Sequence, residues 1–193
     1  MAKDKTKVKK KKWVQIIAPK SFREQLIGEV TLVDTKDAIG RTVKVNLMEL
    51  TSDMKKQNTE IGFKIIKIQE GKALTEPINY SVSGSSIKRF VRRGKEKIDH
   101  SFDCETSDKR SVKVKPILIT RFNVKKSVQT AIRKAAQEIL TREIKKINKD
   151  TLFMYLVTNK LQKSLNDEIS KIYPLKRAEI KQVIVKEIKK DSS

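Results

Sequence analysis

From Trp13 onward the chain sets short apolar runs between polar gaps, at first with a period near two. WVQIIAP is an apolar run closed by Pro19, a first strand or an extended anchoring segment. LIGEVTLVDT predicts a second strand with Gly28 at a bulge. In RTVKVNLMEL, Val43, Val45 and Leu47 share one face and Lys44 and Asn46 the other, the pattern of a half-buried strand. GFKIIKIQEGKALTEPINY predicts a hairpin turning through Glu70-Gly71-Lys72, with Pro77 moving its second strand toward an edge.

The stretch SSIKRFVRRGKEK, residues 85–97, interrupts the strands with six cations and one acid. Ile87, Phe90 and Val91 fall at helical spacing, so a short helix is predicted, capped by Ser83, Ser85 or Ser86 and ended by Gly94. A second hairpin follows. Ile98, Phe102 and Cys104 share a face, TSDKR turns the chain, and Val112, Val114 and Leu118 alternate on the return.

At Ser127 the period changes to about 3.6. Val128, Ile132, Ala135, Ala136, Ile139, Glu143 and Ile147 trace one side of a long helix, with cations crowding the rest. Asp150 is the expected cap of the next helix, TLFMYLVTNKLQKSL, whose amphipathic continuation runs to Ile172 before Pro174 stops it. IKQVIVKEI then alternates as a last strand. Strands in blocks, not in βαβ alternation, predict an α+β fold: an antiparallel β-barrel-like or curved-sheet core with a long C-terminal-half helix and additional helices. Residues 1–12 form a flexible basic tail. Residues 13–190 form a single domain, β-rich over 13–122, helical over 125–173 and closed by a strand at 179–188.

Composition narrows the function. Of 193 residues, 45 are Lys or Arg against 23 Asp or Glu, a net charge of +22. With a pI of about 10.0, that is the electrostatic footprint of a nucleic-acid binder. No apolar run is long enough to span a bilayer, and the basic N-terminus has no apolar segment of a secretory signal behind it. The single cysteine, Cys104, fits a reducing compartment, most simply the cytoplasm. His100 is the only histidine, so no two-histidine metal site is expected. Cys104 reads as a buried thiol, and a Cys104–His100 nucleophile pair is the weaker rival. No phosphate-binding glycine motif and no acidic metal cluster appear, so neither an enzyme nor a cofactor is expected.

The cations carry the functional reading. Lys7, Lys9, Lys10, Lys11 and Lys12 have no role in a core and are expected to follow an anionic groove; Trp13 at their base serves either as a core anchor or as a stacking platform. Lys88, Arg89, Arg92, Arg93, Lys95 and Lys97 make the short helix a phosphate grip. Arg121, Lys125, Lys126, Arg133, Lys134 and Arg142 extend the basic surface. Aromatics are only 5% of the chain, so phosphate contact outweighs base stacking in this reading. The short helix has too small an apolar face for a membrane anchor.

Four segments resemble a known family: KKWVQIIAPKSF at 11–22, the following IGEVTLVDT, EILTREIKK in the long helix, and SKIYPLKRAEIKQVIV at 170–185. In order and over nearly the whole chain, they are similar to the archaeal and eukaryotic small-subunit ribosomal proteins called "S-three-a-e" or "S-one-e". Val14 departs, standing where many relatives carry Tyr. The chain ends soon after its last strand, as expected of an archaeal-type member. The resemblance implies a β-rich core with a long helix and a structural place on the small-subunit platform near the messenger exit. It implies contact with the 3′ region of the small-subunit RNA, with neighbouring platform proteins and with messenger RNA near the exit. A free RNA chaperone or regulatory binder acting off the ribosome is the alternative.

Overall fold

The computed structural model describes residues 11–69 and 71–186. Lys7, Lys9 and Lys10 of the expected tail, Glu70 of the expected turn and residues 187–188 of the expected last strand lie outside the described residues. The architecture is α+β, with nine strands and five α-helices among the described residues. Contacts gather the chain into two compact units, Met1–Lys44 with Phe63–Glu76 and Val45–Gly62 with Pro77–Ser193.

In the first unit, β1 (Lys12–Ile17) pairs antiparallel with β2 (Leu26–Leu32), from Lys12 opposite Leu32 to Ile17 opposite Leu26. The register slips between Ile16 and Ile17, and Ile16 faces Gly28, so the irregularity falls at the glycine singled out for a bulge. Two longer strands follow, β4 (Thr59–Gln69) and β5 (Lys72–Val82), after the short β3 (Thr42–Asn46). β5 begins past Gly71, whose φ of +77° suits the turn. Its first residues run parallel to β1, Gln15 opposite Lys72 to Ile17 opposite Leu74. A parallel neighbour is possible because three strands and their loops separate the pair in sequence. The core here is Val14, Ile16, Leu32, Ala38, Ile65 and Ala73, and the Phe22 ring meets Phe63 edge-on at 5.5 Å.

The second unit departs from expectation at its start. Asn46 ends β3, and its side-chain oxygen accepts the Met48 N–H at 2.9 Å. That cap starts α1 (Leu47–Thr51). Leu47, expected as the third inward residue of a strand, is instead the first buried residue of a helix. Pro77 also departs: β5 is an interior strand there and Pro77 is buried. It falls between the stretch Lys72–Leu74 registered with β1 and the stretch Asn79–Ser81 registered with the last strand, so its missing N–H interrupts neither ladder.

α2 (Gly84–Phe90) follows β5 but is shorter than the sequence suggested. Val91 is already extended and Gly94, at φ +75°, serves a turn after the helix instead of its end. Ile87 packs on Ile117 and Ile119, with Phe90 and Val91 alongside, so the apolar face of α2 docks within its own unit. β6 (Lys97–Asp99) and β7 (Phe102–Glu105) both pair antiparallel with β8 (Ser111–Thr120). β8 pairs on its other side with β9 (Leu175–Val185), from Val112 opposite Val185 to Thr120 opposite Leu175. Alternation gives way to a fully buried run from Pro116 to Thr120, because β8 has a strand on each side and helices on its unit's apolar face.

α3 (Lys126–Ile144) buries Ile132, Ala136, Ile139, Leu140 and Ile144. The expected helix after it is two: α4 (Lys149–Val157) and α5 (Lys160–Ser170). They break at Thr158-Asn159, where Asn159 takes a left-handed φ of +57°, a conformation asparagine tolerates better than most residues. Asp150 is not the cap of α4. Asp108, from the β7–β8 turn, accepts the Lys149 N–H at 3.0 Å, and the Ser107 hydroxyl donates to the Asn148 side chain. The helix start is thus held from a loop 41 residues away, a partner that local pattern does not reveal. Replacing Asp108 by Ala should lower unfolding stability by about 1 kcal/mol, whereas Asp150→Ala should stay within about 0.5 kcal/mol. Urea midpoints at unchanged m-value check both.

Candidate nucleic-acid interface

The expected binding residues divide by where the strands and helices put them. In the first unit, alternation along β1 turns Val14 and Ile16 inward and leaves Trp13 71% exposed. The indole is therefore free to stack and is not part of the core. Lys11 and Lys12 beside it are exposed.

In the second unit, Lys88 and Arg89 occupy the last turn of α2, and the Arg89 guanidinium donates to Asn58 Oδ1 at 3.1 Å. Arg92 and Arg93 stand exposed on the turn that follows, and Lys95 is half-buried after it. Lys97 belongs to β6 and pairs with Asp99 at 2.6 Å. The structure adds two cations that the charge pattern had not marked, Lys176 and Arg177 at the start of β9. Arg177 lies over the Phe90 ring, 3.8 Å from its centre, while its Nε and Nη2 donate to Glu179 Oε1 at 2.8 and 2.7 Å. The nearby Lys95 holds the Lys176 ammonium below the ordinary lysine pKa, with Arg92 and Arg177 adding to the effect. Four cations thus meet at one corner, and among the described residues only Arg177 of the four has a carboxylate at contact distance. Such a corner favours an anion between its members. The KR dipeptide after Pro174 was the available signal, but its meeting with Lys95 depends on β9 lying beside the end of α2.

Arg121, Lys125, Lys126 and Lys134 are exposed at and along α3. Arg133 is half-buried, and its Nε is enclosed with no hydrogen-bond partner among the described residues. Arg142 Nη2 donates to both oxygens of Glu168 at 2.6 and 2.7 Å, a charged pair that ties α3 to α5.

A family profile described as the Ribosomal S3Ae family matches residues 1–189. The chain is 32% identical over 181 residues to "Small ribosomal subunit protein eS1" of Saccharolobus islandicus, covering 94% of this chain and 87% of that one. The protein of the same name from Sulfurisphaera tokodaii is 32% identical over 176 residues, 91% of each chain. The chain belongs to the Ribosomal S3Ae family.

In this S3Ae-family chain His100 and Cys104 hydrogen-bond to different partners. The His100 ring bonds Gln137 at 3.1 Å and tilts against Phe102. The Cys104 thiol instead donates to the Val112 carbonyl at 3.6 Å. Burial, with the Asp103 charge beside it, pushes the thiol up to about 11. Among the described residues no three of His, Cys, Asp and Glu gather as metal ligands, and no helix is long and apolar enough to cross a membrane. Because only the thiolate reacts, native Cys104 should be alkylated by iodoacetamide at pH 8 roughly 100-fold more slowly than in the urea-unfolded chain. The gap should narrow as the pH rises toward 11. Mass spectrometry of timed samples reads both rates.

Proposed function

We propose that this S3Ae-family chain binds small-subunit ribosomal RNA on the platform near the messenger exit. Membership of a ribosomal protein family makes it a structural component of the ribosome, at work in the cytoplasm, and not an enzyme. The finer reading gives it the 3′ region of the small-subunit RNA, neighbouring platform proteins and messenger RNA near the exit as contacts.

The observation that carries RNA binding is the corner of Arg92, Lys95, Lys176 and Arg177. Holding like charges together costs free energy in the isolated chain, and a phosphate between them removes that cost. Lys88, Arg89 and Arg93 continue the surface from α2, and Arg121, Lys125, Lys126, Arg133, Lys134 and Arg142 from α3. Lys97 and Arg142 enter it already paired with Asp99 and Glu168. In the other unit Lys7, Lys9, Lys10, Lys11 and Lys12 supply phosphate contacts, and Trp13 a stacking face.

Two measurements test this. Binding of the full chain to a 3′-region fragment of small-subunit RNA should weaken steeply with salt. Lys95→Ala and Lys176→Ala should each flatten the log–log slope by roughly 0.7–0.9, the value of one phosphate contact. Slopes unchanged in both variants would remove the corner from the interface. Location is read by an iron chelate tethered at Lys88→Cys in a Cys104→Ala background, assembled into small subunits. Hydroxyl-radical cleavage in the 3′ region of the RNA is expected, and cleavage confined to other regions overturns the platform assignment.

A further inference from the structure

A cavity of about 310 Å³, which shares Arg177 with the basic corner, has walls from α2, β5, β9 and the turns at Asn58 and Asn159. Its rim is cationic: Lys55, Lys56 and Arg89 stand around it. Its wall is flat, formed by Arg177 stacked on Phe90. Its floor is polar. Tyr80 is buried there, near the Thr59 and Gln162 side chains, and burial holds its phenol protonated far above the ordinary range. A neighbouring recess of about 380 Å³ shares Asn159, Arg177 and Glu179 with the cavity and adds Gln162 and Lys176.

Two features call for a ligand. Arg177 is not a loose surface cation. Phe90 supports one face of its guanidinium, and both its Nε and Nη2 are held by a single Glu179 oxygen. Even so, 47% of the side chain remains exposed. A planar, immobilised guanidinium with an open face is a ready stacking surface for a nucleobase. The second feature is independent of charge and belongs to the neighbouring recess. Gln162 is only 5% exposed, its Nε2 is bound to the Leu156 carbonyl at 3.2 Å, and its Oε1 has no partner among the described residues. A buried amide oxygen left in this state awaits a donor.

We infer that this cavity receives one unstacked RNA nucleotide, its base laid on the Arg177–Phe90 platform and its flanking phosphates held by the rim cations. The amides and carboxylate that line the cavity beside the platform, Asn58, Asn159 and Glu179, then meet the edge of the base. The volume matches the small end of ligand sites, roughly 300–1,000 Å³, which suits one base and not a folded segment. Cations on the rim suit a ligand that carries a charge at every linkage. The inference rests on the RNA-binding reading above and adds to it a structure-selective contact: a bulge or loop in place of a plain duplex.

The test uses the full chain with two RNA hairpins, identical except that one carries a single bulged 2-aminopurine. The bulged hairpin should bind about tenfold more tightly, in keeping with the worth of one base stack. Its 2-aminopurine should be shielded from acrylamide quenching in the complex. Arg177→Lys keeps the charge and removes the plane, so it should weaken the bulged hairpin by the larger factor and bring the preference toward one. Equal wild-type affinities, an unshielded base, or equal weakening of both hairpins by the variant would each overturn the proposal. The shielding measurement needs no variant, so it stands if Arg177→Lys fails to fold. Absence of salt-sensitive binding to either hairpin would instead fail the RNA-binding reading, and the pocket assignment with it.

Discussion

The rest of this structure is arranged around uncompensated positive charge. With 45 basic against 23 acidic side chains, the compact chain repels itself, and no rearrangement of its own residues can neutralise it. The acids are used where they hold the frame. Glu168 joins α5 to α3 through Arg142, Asp103 reaches Lys186 beyond β9, and Glu179 fixes Arg177. What remains is an excess of 22 cations over acids along the chain. The corner at Lys95 and Lys176 is the sharpest case, since each stands where the other's charge is unfavourable.

Apolar burial bears that repulsion. In the second unit, β8 is clasped by β9 along its length and by β6 and β7 on the other side, and Ile117, Leu118 and Ile119 are at most 3% exposed. Leu152, Phe153 and Leu156 of α4 and Leu165 and Ile169 of α5 are fully enclosed. Each such side chain contributes about 1.5–3 kcal/mol relative to exposure. This frame does more than persist. It puts the end of α2 beside the start of β9, so that Phe90 backs Arg177 and Lys95 meets Lys176. Arg177 at least is preorganised, held between the Phe90 ring and Glu179.

Alternation made much of this legible in advance. Val112 and Val114, or Val14 and Ile16, face inward because a half-buried strand permits nothing else, and the 3.6 period located α3 to within a residue at its start. The misreadings have different causes: a neighbouring side chain, a partner in another loop, and a local backbone conformation. Leu47 continues the alternation of Val43 and Val45, yet the Asn46 side chain caps a helix there. Asp150 has the local position of a cap, but Asp108 does the capping from another loop. The break between α4 and α5 carries no glycine or proline, only an asparagine in a left-handed conformation. The site was legible as composition and only partly as geometry. The dense arginines after Ser85 announced a basic surface, while Lys176 and Arg177 were two ordinary cations on a strand until the fold brought them to α2.

The central claim is that the folded chain is held against its own charge until a polyanion shares the load. Thermal unfolding of the purified chain against ionic strength tests it most directly. Raising sodium chloride from about 0.01 M to about 0.15 M shortens the screening length from roughly 30 Å to 8 Å. The unfolding midpoint should climb over that range, and small-subunit RNA at low salt should raise it further. A midpoint that stays flat or falls with salt, and that RNA leaves unmoved, would contradict the account.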